Sequence, residues 1–167
     1  MRILQDSREQ NGLMGLFPKV EGVTVEVGTL PVGDYAARHL IDGREIPDVH
    51  CVERKAIGDL FTSFASGYER EKAKWTKAQQ LGLRYILAIE GTITDVLQSD
   101  SYRKEGEFHQ RRKDGLAQIR QLCSIQVKYD ISVWYLSSRR ELAFYLMEFF
   151  AASGRWLMRQ AEEETAG

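Results

Sequence analysis

Two carboxylates and a lysine carry the first chemical signal. Asp34 follows Gly33, and the run Glu53-Arg54-Lys55 comes later in the chain. If a hairpin sets the two segments side by side, Asp34 and Glu53 meet at one point. Two hard carboxylates, with a backbone carbonyl and water, suit Mg²⁺ or Mn²⁺. A cation held there lowers the pKa of a bound water and offsets charge on a phosphoryl oxygen. In an extended strand Glu53 and Lys55 share a face. Lys55 then stands beside the cation, able to orient an attacking water or to neutralise developing charge. Arg54 faces the other way, where it braces an acidic group or reaches a phosphate. Each piece also has a plain structural reading. Gly-Asp is a common turn pair, and Glu-Arg-Lys at a strand end is a common solubilising edge.

The surrounding elements must bring these residues together. Arg2 to Gln5 reads as a short strand that enters a loop at Asp6-Ser7-Arg8-Glu9, and Asn11-Gly12 breaks the pattern. Val23 to Val27 alternates with period two and is β-branched, as in a half-buried strand. Leu30-Pro31-Val32-Gly33-Asp34 turns into a strand from Tyr35 to Leu40. Asp42-Gly43 signals a hairpin, and the return strand runs through Val49 to Glu53. These three strands are expected to form a meander. From Ala56 the period becomes helical, with Ile57, Leu60, Phe61 and Phe64 on one face. A second helix is expected over Glu69–Leu81, closed by Gly82. Arg84 to Glu90 is a continuous apolar run, as in a central strand buried on both faces. Thr92 or Thr94 can cap a short helix. Residues 99–108 read as a loop. Leu116, Ile119, Leu122, Cys123 and Gln126 mark a longer helix, Ile131 to Leu136 a last strand, and Ser137 or Ser138 caps a final helix from Glu141. The order predicts an α/β fold, a mixed central sheet flanked by helices.

With those elements in place, the chain resembles a known family. The segments Asp6-Ser7-Arg8-Glu9, Leu30-Pro31-Val32-Gly33-Asp34-Tyr35, Val52 to Leu60 and Ser63 to Gly67 are similar to the XPF-type nuclease domain. The signature of that family is Gly-Asp, a variable stretch, then Glu-Arg-Lys-x-x-x-Asp. Gly33, Asp34, Glu53, Arg54, Lys55 and Asp59 match it. The resemblance is specific over residues 2–91 and thinner to 150. It implies a restriction-endonuclease-like fold of the PD-(D/E)XK type and metal-dependent cleavage of DNA phosphodiesters. By position it implies Asp34 and Glu53 as ligands of Mg²⁺ or Mn²⁺ and Lys55 as the catalytic lysine. Arg54, Asp59 and Asp6 are implied as members of the catalytic network, and Arg8 as a supporting residue.

The sequence departs from the family at two points. Gly67-Tyr68 stands where members commonly have Gly-Arg, so Arg70 is a candidate substitute. The tandem helix-hairpin-helix module that usually follows is expected to be missing, leaving one domain over residues 1–160 and a flexible acidic tail over 161–167. Short standalone forms look like those of phages and prophages, which fits repair, recombination or phage DNA processing. The implied substrate is branched, flapped or junction DNA, and a homodimer or a partner chain would supply the missing grip. A second reading is a DNA- or partner-binding module whose nuclease site idles without that second chain. RNA as substrate stays open.

The net charge of −1 over 167 residues hides an uneven distribution. The first 65 residues are net acidic, whereas residues 66–84 and 101–140 are net basic. That fits a metal site flanked by an anion-binding surface as well as ordinary solvated helix faces. Arg8, Arg70, Lys72, Arg111, Arg112 and Lys113 are candidate DNA contacts, salt-sensitive and blind to sequence. Tyr68, Trp75 and Tyr102 can stack on unpaired bases or join the core. His39, His50 and His109 show no metal spacing, and Cys51 and Cys123 are expected to be buried. Two cysteines build neither a disulfide framework nor a zinc site. No apolar run approaches the roughly 20 residues that span a bilayer, and the N-terminus turns polar too early for a signal peptide. The expected compartment is intracellular, the cytoplasm or nucleoid of a bacterial host, with no membrane partner.

Overall fold

The structure is a computed structural model in which residues 1–99 and 115–166 are described. Six strands form one mixed sheet. They are β1 (Arg2–Asp6), β2 (Thr24–Gly28), β3 (Tyr35–Ile41), β4 (Arg44–Ala56), β5 (Arg84–Glu90) and β6 (Ser132–Leu136), ordered β2-β1-β3-β4-β5-β6. The helices among these residues are α1 (Ile57–Ala65), α2 (Tyr68–Gln80), α3 (Ile93–Gln98), α4 (Gly115–Tyr129) and α5 (Arg139–Ala166), with a 3-10 turn at Met14–Leu16. Among the described residues no helix is long and apolar enough to cross a membrane.

Sheet alternation divides the core into two layers. Ile3, Tyr35, Ala37, Val52, Ile86 and Ala88 pack on one face with Leu142, Leu146 and Phe150 of α5. Cys51, Leu87 and Ile89 pack on the other with Leu60, Phe64, Trp75, Leu122 and Ile125. Strand β5 lies between β4 and β6, and Tyr85 to Ile89 are all buried.

The expected three-strand meander is corrected. Only β3 and β4 form a hairpin; β2 pairs parallel with β1, which stands between it and β3. Alternation identifies a strand but not its neighbour, and parallel pairing needs a long connection, here residues 7–23. Residues 161–166 belong to α5. Ala and Glu are good helix formers, and Gln160 Nε2 donates to Glu163 Oε2 at 3.3 Å. Helix α4 buries Gly115, Gln118, Leu122 and Ile125, so Cys123 is exposed and the expected apolar face is rotated. Trp75 is a core residue, and Tyr68 meets it edge-on. Tyr102 and His109 lie outside the described residues.

A register shift in the β3–β4 hairpin buries Asp48, which draws two scattered histidines together. His39 Nε2 and His50 Nδ1 each lie 2.7 Å from a different oxygen of Asp48. Burial alone would raise this carboxyl, but hydrogen bonds from His39, His50 and Ser153 hold it below the usual carboxylate range. Ser153 comes from α5, so the cluster docks that helix on the sheet. Gly154 makes the approach possible: a Cβ there would stand 2.5 Å from His39 Nδ1. His39 is pinned and cannot give way. Gly154→Ala gains about 1 kcal/mol of helix propensity but overpacks the core at a cost of about 1–3 kcal/mol. A net destabilisation is expected in urea unfolding; a rise in the midpoint would contradict this packing.

Candidate active site

The site is built at the end of the β3–β4 hairpin. Tyr35 pairs with Val52, and the Asp34 N–H donates to the Val52 carbonyl at 2.8 Å. Asp34 and Glu53 are therefore side by side. Gly33 sits at φ +79°, and a Cβ there would lie 3.1 Å from that same Val52 oxygen. Glycine before the aspartate thus lets the chain turn closely against β4.

The two carboxylates are unequally compensated: Lys74 and Lys55 both face Glu53 Oε1, whereas Asp34 forms no ion pair among the described residues. Asp34 Oδ2 accepts the Arg54 backbone N–H at 2.8 Å. Burial and the neighbouring Glu53 push the Asp34 carboxyl up to about 7. Glu53 is buried, and Lys55 Nζ lies 3.5 Å from its Oε1, as β-strand alternation requires. Lys55 also reaches Ser63 Oγ at 3.1 Å and Glu71 Oε1 at 3.1 Å. Tyr85 lies near the acidic groups, and its buried hydroxyl has no hydrogen-bond partner among the described residues.

Arg54 faces the opposite layer. Its guanidinium lies 2.8 Å from Glu9 Oε1 and 2.9 Å from Glu90 Oε1. Burial opposes its charge, but the two carboxylates outweigh burial and raise its pKa. Arg139, at the start of α5, pairs with Glu90 at 3.6 Å and donates to the carbonyls of Asn11 and Gly12. This chain of charges ties the loop after β1 to the ends of β4 and β5.

Asp6 is fully engaged elsewhere. Its carboxylate accepts from Arg8 Nε at 2.6 Å, from the Arg8 N–H at 2.9 Å and from the Leu30 N–H at 2.7 Å. The Arg8 guanidinium holds it down at about 2. Its backbone N–H donates to the Asp34 carbonyl at 2.8 Å. Asp6 and Arg8 therefore anchor the loop that carries Asp34.

The two acidic side chains fit a hard cation that retains water ligands. Among the described residues no three His, Cys, Asp or Glu side chains form a complete metal cage. A cation with two protein carboxylates is the case that fits, and it would favour the ionised form of Asp34 that burial and Glu53 disfavour.

The model of the ERCC4 domain family matches residues 5–149. The chain belongs to that family. The ERCC4 domain has the restriction-endonuclease-like fold, a mixed six-stranded sheet flanked by helices. It is similar to XPF from Aeropyrum pernix, with TM-score 0.61 and 17% identity over 99% of this chain and 69% of that one. A second structure, of XPF from the same organism in complex with DNA, gives TM-score 0.58 and 19% identity over 95% and 66%. The ERCC4 domain thus spans about two thirds of the length of those chains. No curated protein matches it in sequence.

Within this ERCC4 domain the structure brings Asp34, Glu53 and Lys55 together. It places the Arg54 backbone at the acid pair and its side chain behind the sheet. Asp59 is exposed in the first turn of α1, with no ion pair or hydrogen bond to the group among the described residues. Arg70 lies 3.7 Å from Glu71, and exposed Glu69 pairs with Lys72 at 3.5 Å. Arg111, Arg112 and Lys113 lie outside the described residues. Sequence reasoning missed Glu71, Glu9 and the specific place of Lys74. Glu71 is 2% exposed and falls on the buried stripe of α2 with Trp75 and Ala78. An acidic residue at an apolar helix position was the signal.

Proposed function

We propose that this ERCC4 domain hydrolyses phosphodiester bonds in DNA with a divalent cation, Mg²⁺ or Mn²⁺, held by Asp34 and Glu53. The observation that carries the reading is an acid pair whose Asp34 has no cation partner among the described residues, set beside a buried lysine at the end of one hairpin. When bound, the cation would supply Lewis acidity to a phosphoryl oxygen and lower the pKa of a water. Asp34 and Glu53 hold it through hairpin pairing. Lys55, fixed by Ser63 and Glu71, presents a positive charge that complements charge developing on the phosphate. Arg54 fixes Asp34 through its backbone N–H and stiffens β4 through Glu9 and Glu90. Asp6 and Arg8 keep the preceding loop in place.

Family membership supports DNA as the substrate, and one structurally similar XPF is complexed with DNA. The net basic segment over residues 66–84, with Arg70 and Lys72 on α2, offers a path for the phosphate backbone. Flapped, forked or junction DNA is the proposed target, in repair, recombination or phage DNA processing.

Labelled flap, fork, four-way-junction and linear duplexes, incubated with Mg²⁺, Mn²⁺ or EDTA, test the reading. Cleavage is expected with either metal, to favour the branched substrates and to stop in EDTA. Failure of the wild type to cut any of them refutes the activity, and cutting that survives Asp34→Ala refutes the site.

A further inference from the structure

Helix α2 sends a second lysine to the acid pair. Lys74 Nζ contacts Glu53 Oε1, the same oxygen that faces Lys55. It also lies 3.6 Å from Glu71 Oε2, one helical turn back on α2. Lys55 and Arg70 both sit on the other oxygen of Glu71, Oε1. Lys74 therefore has two neighbouring carboxylate oxygens to choose between, Glu53 Oε1 and Glu71 Oε2.

The two lysines differ in freedom. Lys55 is buried on the strand and held by Ser63 and Glu71 as well as Glu53. The Lys74 side chain is one-third exposed, on a flexible stem that can swing toward solvent. A hard divalent ion binds carboxylate oxygen at about 2.0–2.1 Å for Mg²⁺. An ammonium in contact with the same oxygen would stand next to that ion and repel it. Lys74 and a cation therefore compete for Glu53.

Building on the cation-dependent reading above, we infer that Lys74 is a built-in placeholder for the divalent ion. It occupies Glu53 in the ion-free protein and swings out to solvent when the ion binds. It is a positioning residue, whose departure leaves a free ammonium at the mouth of the site when the DNA backbone must be met. The buried Glu71 fixes Lys55 in either state.

Mn²⁺ alone, titrated calorimetrically into DNA-free protein, tests the inference. Lys74→Gln is expected to bind Mn²⁺ about tenfold more tightly than the wild type, the scale of one partly desolvated ion pair. Lys74→Arg is expected to restore the weaker binding. Equal or weaker binding by Lys74→Gln would overturn the inference. A wild-type measurement covers the case of a misfolded variant. Amine acylation read by mass spectrometry is expected to rise at Lys74 when Mn²⁺ binds and to stay low at Lys55. Unchanged Lys74 reactivity on saturation with Mn²⁺ would also overturn it. If the wild type binds no Mn²⁺ at all, the cation-dependent reading itself fails, an outcome distinct from the other two.

Discussion

Asp34→Asn is expected to abolish cleavage while making the ion-free protein more stable at pH 8. The two effects have one cause. The Asp34 carboxyl is pushed up to about 7, first by burial and then by Glu53. Its ordinary value is 3.8. A carboxyl whose folded-state pKa is raised binds its proton more tightly in the folded chain than in the unfolded one. It costs nothing below about pH 4, where both states are protonated. The penalty grows as pH rises from 4 to 7 and is complete above 7, on the order of 4 kcal/mol. Asparagine is neutral throughout and its amide oxygen still accepts the Arg54 N–H. The gain from Asp34→Asn in urea unfolding with EDTA should be near zero at pH 4 and largest at pH 8. Adding Mn²⁺ should stabilise the wild type and leave the variant unmoved. A gain independent of pH would remove the charge explanation, and Mn²⁺ stabilisation of the variant would remove Asp34 from the ion site.

That trade of stability for chemistry was legible in part. The Asp42-Gly43 turn and the alternation on either side predicted the hairpin that sets Asp34 against Glu53. The same alternation placed Lys55 beside Glu53 and Arg54 on the opposite face. These conclusions depend on one strand and its turn, which short-range sequence encodes. What the sequence hid depends on partners from distant elements. The parallel place of β2 was invisible because a strand pattern names no neighbour. The His39–Asp48–His50 cluster arises from a register shift that no residue type announces. Helix α2 reads as a solvated charged helix, yet Glu71 is buried because Lys55 arrives from β4 to meet it. Arg54 was readable as a brace, but Glu9, Glu90 and Arg139 come from three other segments.

That brace sets the second large effect. Arg54→Met is expected to destabilise the protein by about 3–5 kcal/mol, because it leaves two shielded carboxylates without their cation. Glu9 and Glu90 are only 12% and 14% exposed at their side chains. Arg139 reaches Glu90 only at 3.6 Å and does not replace the lost pair. A loss of that size is a large part of the roughly 5–15 kcal/mol that holds an ordinary domain, so soluble yield should fall as well. Arg54→Lys should recover little. One ammonium cannot span both carboxylates in place of a planar fork. The decisive comparison is the triple variant Glu9→Gln, Arg54→Met, Glu90→Gln. It removes the stranded charges along with the arginine and should regain most of the lost stability in urea unfolding. If the triple variant is no more stable than Arg54→Met, the loss comes from packing of the arginine stem. Cleavage gives an independent readout, taken at a temperature where each variant is folded. The Arg54 backbone N–H reaches Asp34 whatever the side chain, so the triple variant should retain measurable activity. Complete loss of activity in a folded triple variant would instead place the Arg54 guanidinium in the chemistry itself.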